Sequence, residues 1–143
     1  MSLDELHNLT LAQAANRIAE RELSSVEYTE ALIARGEALQ SQLHAFITPT
    51  FEQARQSAKA ADDQMARGTY RGPLHGVPFA VKDIYDTAGI LTSGHSRTCI
   101  DRVPAKDATC VARLHDAGAV LTGKVRVPRT GMDHSKERNS PED

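Results

Sequence analysis

The sequence predicts an α/β fold in which a helical leader precedes a strand, loop, helix, strand unit. Three observations carry that expectation. Alanine-rich stretches in roughly the first seventy residues place apolar side chains at three- and four-residue spacing. A cluster of turn residues, Arg67-Gly68-Thr69-Tyr70-Arg71-Gly72-Pro73, then ends that pattern. Beyond it, two short β-prone runs flank one more helical segment.

The elements follow in order. Leu11, Ala14, Ala15 and Ile18 fall on one face of a first helix, and that face should be buried. A second helix starts at Ser24, where Glu27 three positions on completes a capping-box pattern. Val26, Thr29, Leu32, Ile33 and Leu39 form its apolar stripe, which Gly36 interrupts. His44 to Ile47 reads as a short strand, and Thr48-Pro49 as a cap with proline in the first helical position of a third helix reaching about Met65. After the turn cluster, Pro78 can open a strand but not sit inside it, so the next strand is placed at Phe79 to Asp83, with Lys82 near its end. Asp107 is placed as the cap of a helix over Ala108 to Ala117, with Gly118 as its stop and Val120 to Thr122 as the following strand. Val125 to Asp143 shows no helical or strand period and little apolar content, and is expected to be a polar, largely disordered tail.

Composition narrows the function classes. The 143 residues are 40% hydrophobic and 25% charged, which suits one soluble domain and excludes a tandem array. A net charge of -2 and a pI near 6.3 offer no broad basic surface for a nucleic-acid backbone. No apolar run approaches the roughly 18 residues of a membrane span, and the acidic start Met1-Ser2-Leu3-Asp4-Glu5 is unlike a secretory signal. A cytoplasmic location is expected. Cys99 and Cys110 make no disulfide framework and have no metal-ligand spacing, so reduced thiols are expected and no metal site follows. An aromatic content of 4% supplies no anchor for a large stable interface.

Two segments invite a chemical reading. Gly118-Ala119-Val120-Leu121-Thr122-Gly123-Lys124 matches G-x-x-x-x-G-K. Val125 stands where a phosphate-binding loop needs Ser or Thr for magnesium, and the apolar run follows a helix, so the expectation is a helix stop leading into a buried strand. The stronger candidate is Lys82, at the end of an apolar strand within Gly72-Pro73-Leu74-His75-Gly76-Val77-Pro78-Phe79-Ala80-Val81-Lys82-Asp83. Burial there would lower the amine's pKa and make it a base. The plain alternative is an exposed lysine paired with Asp83 or Asp86.

The stretch from Gly72 to Lys124 resembles the N-terminal part of the amidase signature family. The segment Gly72 to Ser96 resembles the family's G-P-L-x-G-[IV]-P-x-x-x-K-D run and its Thr/Ser-Gly-x-Ser loop. Lys106-Asp107-Ala108-Thr109 and Leu114-x-x-Ala117-Gly118-Ala119-Val120-Leu121-x-Gly123-Lys124 follow in the family's order, and Ser24-Ser25-Val26-Glu27 and His44-Ala45-Phe46 fit its leader. The resemblance covers about residues 1–124, read as a partial domain with a leader over 1–70 and an α/β segment over 71–124, followed by the 125–143 tail.

The resemblance implies amide hydrolysis through a nucleophilic Ser, a bridging Ser on a cis peptide and a Lys, the last matching Lys82. It implies no cofactor and no metal. Lys82 would take the proton relayed from the nucleophile, and glycine-rich backbone N–H groups would hold the oxyanion. The family's Gly-Gly-Ser-Ser-Gly-Gly-Ser loop has no counterpart in the 143 residues. Ser135 and Ser140 lack glycine neighbours and are not assigned as nucleophile; Ser93 and Ser96 are expected in turn hydrogen bonding, and His95 replaces what is commonly a small residue.

The expected product is therefore a truncated amidase, inactive alone, with exposed strand edges. Two alternatives remain open: the amidase subunit of a tRNA-dependent amidotransferase, whose partner protein carries the tRNA contacts, and a non-catalytic assembly module pairing with a full-length relative. The expected substrate of a complete enzyme is a small-molecule amide, with no direct nucleic-acid or membrane partner.

Overall fold

The computed structural model describes residues 3–126. Helix α1 (Leu3–Leu6) and α2 (Leu11–Ala19) lead into the long α3 (Ser25–Leu43), followed by strand β1 (Phe46–Pro49) and α4 (Phe51–Ala66). Strand β2 (Pro78–Lys82), a 3-10 turn (Arg97–Cys99), α5 (Thr109–Asp116) and β3 (Val120–Val125) complete the described chain. No helix among the described residues is long and apolar enough to cross a membrane.

The leader is built from satisfied helix ends and small apolar contacts. Thr10 caps α2 in a full capping box: its hydroxyl accepts from the Gln13 N–H, and Gln13 Oε1 accepts from the Thr10 N–H. Ala14, Ala15 and Ile18 are buried as expected, packing with Leu6, Leu23, Tyr28, Ala31 and Val77. Leu11, expected on that face, is 58% exposed, because it lies on the first turn beyond this cluster. At the start of α3, Ser24 accepts from the Glu27 N–H, and the Asp62 carboxylate on α4 takes the Ser25 and Val26 N–H groups at 2.7 and 3.0 Å. Gly36 has a packing reason: a Cβ there would lie 3.1 Å from the Phe46 ring.

The sheet has the order β1-β3-β2, with β1 antiparallel and β2 parallel to the central β3. On one face Val120 packs with Ile33, Ala54 and Ala58 of α3 and α4; on the other, Leu121 packs with Val81 and Val111. β2 is thus an edge strand. β1, two residues later in the chain than the strand expected from His44 to Ile47, covers the second side of β3 and leaves β1 and β2 as the edges.

Further boundaries depart from the sequence-based expectation. Thr48 and Pro49 do not open a helix; they pair with Lys124 and Gly123, and proline is tolerated because β1 lies at an edge. Thr50 precedes α4 instead, and its hydroxyl donates to the Leu121 carbonyl at 3.0 Å rather than capping. Asp107 is not the α5 cap: that place is held by Ala108, while the Asp107 carboxylate accepts from the Ala88 N–H at 2.7 Å and meets His115 Nδ1 at 3.1 Å. β3 runs on through Val125, so Val125 belongs to the sheet and not to the tail. Glycine permits this: a Cβ on Gly123 would sit 2.8 Å from the Thr48 carbonyl oxygen. The remainder of the expected tail, 127–143, lies outside the described residues.

Candidate active-site strand and its loop

Lys82 is the last residue of β2, one position earlier than the strand end expected from sequence. Its side chain is half-buried, so the deep burial argued from the apolar strand is not realised there. Among the described residues no hydrogen bond or ion pair engages its ammonium. Neither expected carboxylate partner is available. Asp83 turns into the following loop, and Asp86 is held by Arg102 in a two-pronged pair at 2.7 and 2.6 Å. The Arg102 hydrogen bond holds the Asp86 carboxyl below its ordinary range.

The fully buried lysine is Lys124, on β3. It lies in register with Val81 on the neighbouring strand. Its Nζ donates to the Tyr85 carbonyl oxygen, to Thr87 Oγ1 at 2.9 Å and to Thr92 Oγ1 at 3.0 Å. Those bonds use all three ammonium donors. Thr87 and Thr92 in turn donate their own hydroxyl protons to the carbonyls of Tyr85 and Ile90. Burial lowers the Lys124 pKa, opposed by the nearby Asp83 and Asp86 carboxylates.

Asp83 is equally buried, and its carboxylate holds the same loop. Its Oδ2 accepts from the Ser93 hydroxyl at 2.8 Å, the Gly94 N–H at 2.9 Å and the Ser93 N–H at 3.2 Å. Its Oδ1 has no partner among the described residues. Ser93 therefore acts in a turn network, as does Ser96, whose hydroxyl accepts from the Thr98 N–H ahead of the 3-10 turn. Exposed His95 follows Gly94 in left-handed backbone, φ 59° in both.

The Gly118 to Lys124 segment behaves as a helix stop and buried strand: Gly118 at φ 81° follows α5 and β3 runs on from Val120. In the sequence Lys124 stands out only as the last letter of a phosphate-loop pattern that fails. The signal that could have found it is a lysine inside a β-prone run, with Val125 after it. A cleft of about 380 Å³ opens between 48–53 and 89–91, but Lys82 is not part of its wall.

The Amidase family profile matches residues 27–141. The chain belongs to the amidase family. That match extends beyond Lys124, the end of the resemblance visible in the motifs. The A subunit of glutamyl-tRNA(Gln) amidotransferase from Moorella thermoacetica is 43% identical over 136 residues, covering 95% of this chain and 28% of the relative. The protein of the same name from Methylococcus capsulatus is 45% identical over 132 residues, covering 92% and 27%. The amidase fold is seen directly in peptide amidase from Stenotrophomonas maltophilia, at 36% identity and a TM-score of 0.77 over 82% of this chain and 24% of that one. Fatty acid amide hydrolase superposes with a TM-score of 0.84 at 25% identity, over 91% and 23%. The chain spans about a quarter of the length of these amidase-family relatives, from 23% to 28%.

Proposed function

We propose that this chain contributes Lys82 as the proton acceptor of an amide-hydrolysing site whose serines come from a further portion of an amidase chain. The observation that carries the reading is an unpaired lysine at the carboxyl end of β2, parallel to β3, where open sheets place their ligands. No ion pair has to be broken before its amine works as a base. A neutral Lys82 takes the proton passed on by a bridging serine, the nucleophilic serine attacks the amide carbonyl, and the C–N bond breaks with the amine leaving protonated. Water or ammonia then releases the acyl group. The 143 residues hold no Gly-Gly-Ser-Ser loop, so they turn over no amide by themselves.

The names of the curated relatives favour an amidotransferase reading, in which the nitrogen of an amide passes to glutamyl-tRNA(Gln) and further subunits are expected. The test is a chimaera in which residues 1–126 replace the corresponding quarter of the Moorella thermoacetica protein. Ammonia release from glutamine is compared with release from a peptide amide. Lys82→Ala should lower kcat by about 10²-fold or more; unchanged turnover removes Lys82 from the mechanism. Hydrolysis by the 143-residue chain alone would overturn the need for outside serines.

A second reading, an assembly module, is favoured by the β2 edge and by exposed apolar residues in the segment between β2 and α5. Ile84, Tyr85, Ile100 and Val103 are 42–61% exposed. Co-purification with a full-length relative, without any gain of hydrolysis, would select it.

A further inference from the structure

We infer that Lys124 and Asp83 are positioning residues that together hold the turn following Lys82, and so fix where the Lys82 side chain stands. The functional weight of this inference rests on the reading of Lys82 as proton acceptor. The geometry is short. The Tyr85 N–H donates to the Lys82 carbonyl at 3.0 Å, and the Tyr85 carbonyl accepts from Lys124 Nζ, so a single residue links the two lysines. On the other side of that turn the Asp83 N–H donates to the Val125 carbonyl at 2.9 Å, next to Lys124 on β3.

The two buried charges take different parts of one loop. Lys124 holds Tyr85, Thr87 and Thr92, while Asp83 holds Ser93 and Gly94. No ion pair joins them among the described residues. The groups facing Lys124 are Asp83, Asp86, Arg102 and Asp107, and of these Asp86 and Arg102 are already committed to each other. Dehydrating an ammonium and a carboxylate is costly, and apolar side chains of similar volume fill such space with less penalty. What an apolar pair cannot do is bind three oxygens on one side and three loop donors on the other. The polar bonds go almost wholly to residues 85–94, and that is the segment a lysine at the end of β2 depends on.

Amide exchange and lysine acylation on the 143-residue chain test the inference together. Lys124→Met, and separately the near-isosteric pair Thr87→Val with Thr92→Val, should speed exchange at Ile90, Thr92 and Gly94 roughly tenfold while α3 and α4 amides are unchanged. Each of these three N–H groups is hydrogen-bonded in the intact loop. In the same samples the acylation rate of Lys82 should rise toward that of exposed Lys59, with Lys106 as a second reference. If Lys124→Met fails to fold, the threonine pair, which keeps the lysine, still reads the loop. Loop amides that stay protected overturn the inference. So do loop amides that speed up while the Lys82 to Lys59 ratio stays fixed, since the loop then does not position Lys82. Neither readout depends on hydrolysis, so a failed Lys82→Ala chimaera leaves this test intact.

Discussion

Asp62→Ala should lower stability by about 2–3 kcal/mol, a large effect for one half-buried carboxylate. The figure comes from what the carboxylate holds. Its two oxygens accept from the Ser25 and Val26 N–H groups at 2.7 and 3.0 Å, the first donors of the 19-residue α3. Those donors have no partner within the helix. A hydrogen bond to a charged acceptor is worth about 1.5–3 kcal/mol, and a negative charge at a helix start adds about 0.3–1. Water can reach the partly buried Val26 and recover some of the loss, which keeps the total below the sum. Asp62→Asn retains one acceptor and should cost about 1 kcal/mol. Urea unfolding of the three proteins, with a shared slope, measures both numbers. The effect should reach the site strand, because Ser25 Oγ donates to the Gly76 carbonyl at 2.7 Å just before β2. If both variants lie within about 0.5 kcal/mol of the parent, or match each other, the cap reasoning is wrong.

The other predictions concern single positions. Gly76→Ala should cost about 2 kcal/mol or more in the same unfolding assay, since the backbone has φ 73° and the new Cβ would lie 2.9 Å from Ser25. Gly123→Ala should separate β1 from β3, read as faster amide exchange at Thr50, whose N–H donates to the Thr122 carbonyl; retained protection there counts against the close-approach argument. His75→Leu strips the acceptor of the Arg71 N–H and the donor to the Ala61 carbonyl, and a loss below about 1 kcal/mol would show that water replaces both. Burial lowers the Lys124 pKa from 10.5, so the unfolded chain binds more protons in the window just below that value. Stability relative to Lys124→Met should therefore rise as pH climbs from neutral toward 10.5, and a flat or falling difference in urea midpoints contradicts the sign.

Much of the fold was legible because its signals are local. The Ser24 cap, the helical spacing of Ala14, Ala15 and Ile18, the C-terminal end of α4 and the Gly118 stop are each written in residues a few positions apart in the chain. Elements failed where a distant partner displaced the local one. Thr50 gives its hydroxyl to Leu121 and Asp107 gives its carboxylate to Ala88 and His115, so neither caps the helix beside it. Pro49 reads as a helix opener in isolation but closes a strand pair with Gly123.

The chain itself determined the α/β class, the order of helices and strands, and the family resemblance in Gly72 to Lys124, because these depend on periodicity, turn chemistry and residue order. Tertiary structure alone decided which lysine is dehydrated. Lys82 follows Phe79-Ala80-Val81 and Lys124 lies between Thr122-Gly123 and Val125, and neither setting by itself says which ammonium is buried. Lys82 falls at the end of an edge strand and keeps access to water, whereas Lys124 lies on the central strand, where Tyr85, Thr87 and Thr92 fold back to supply the oxygens that water would otherwise provide.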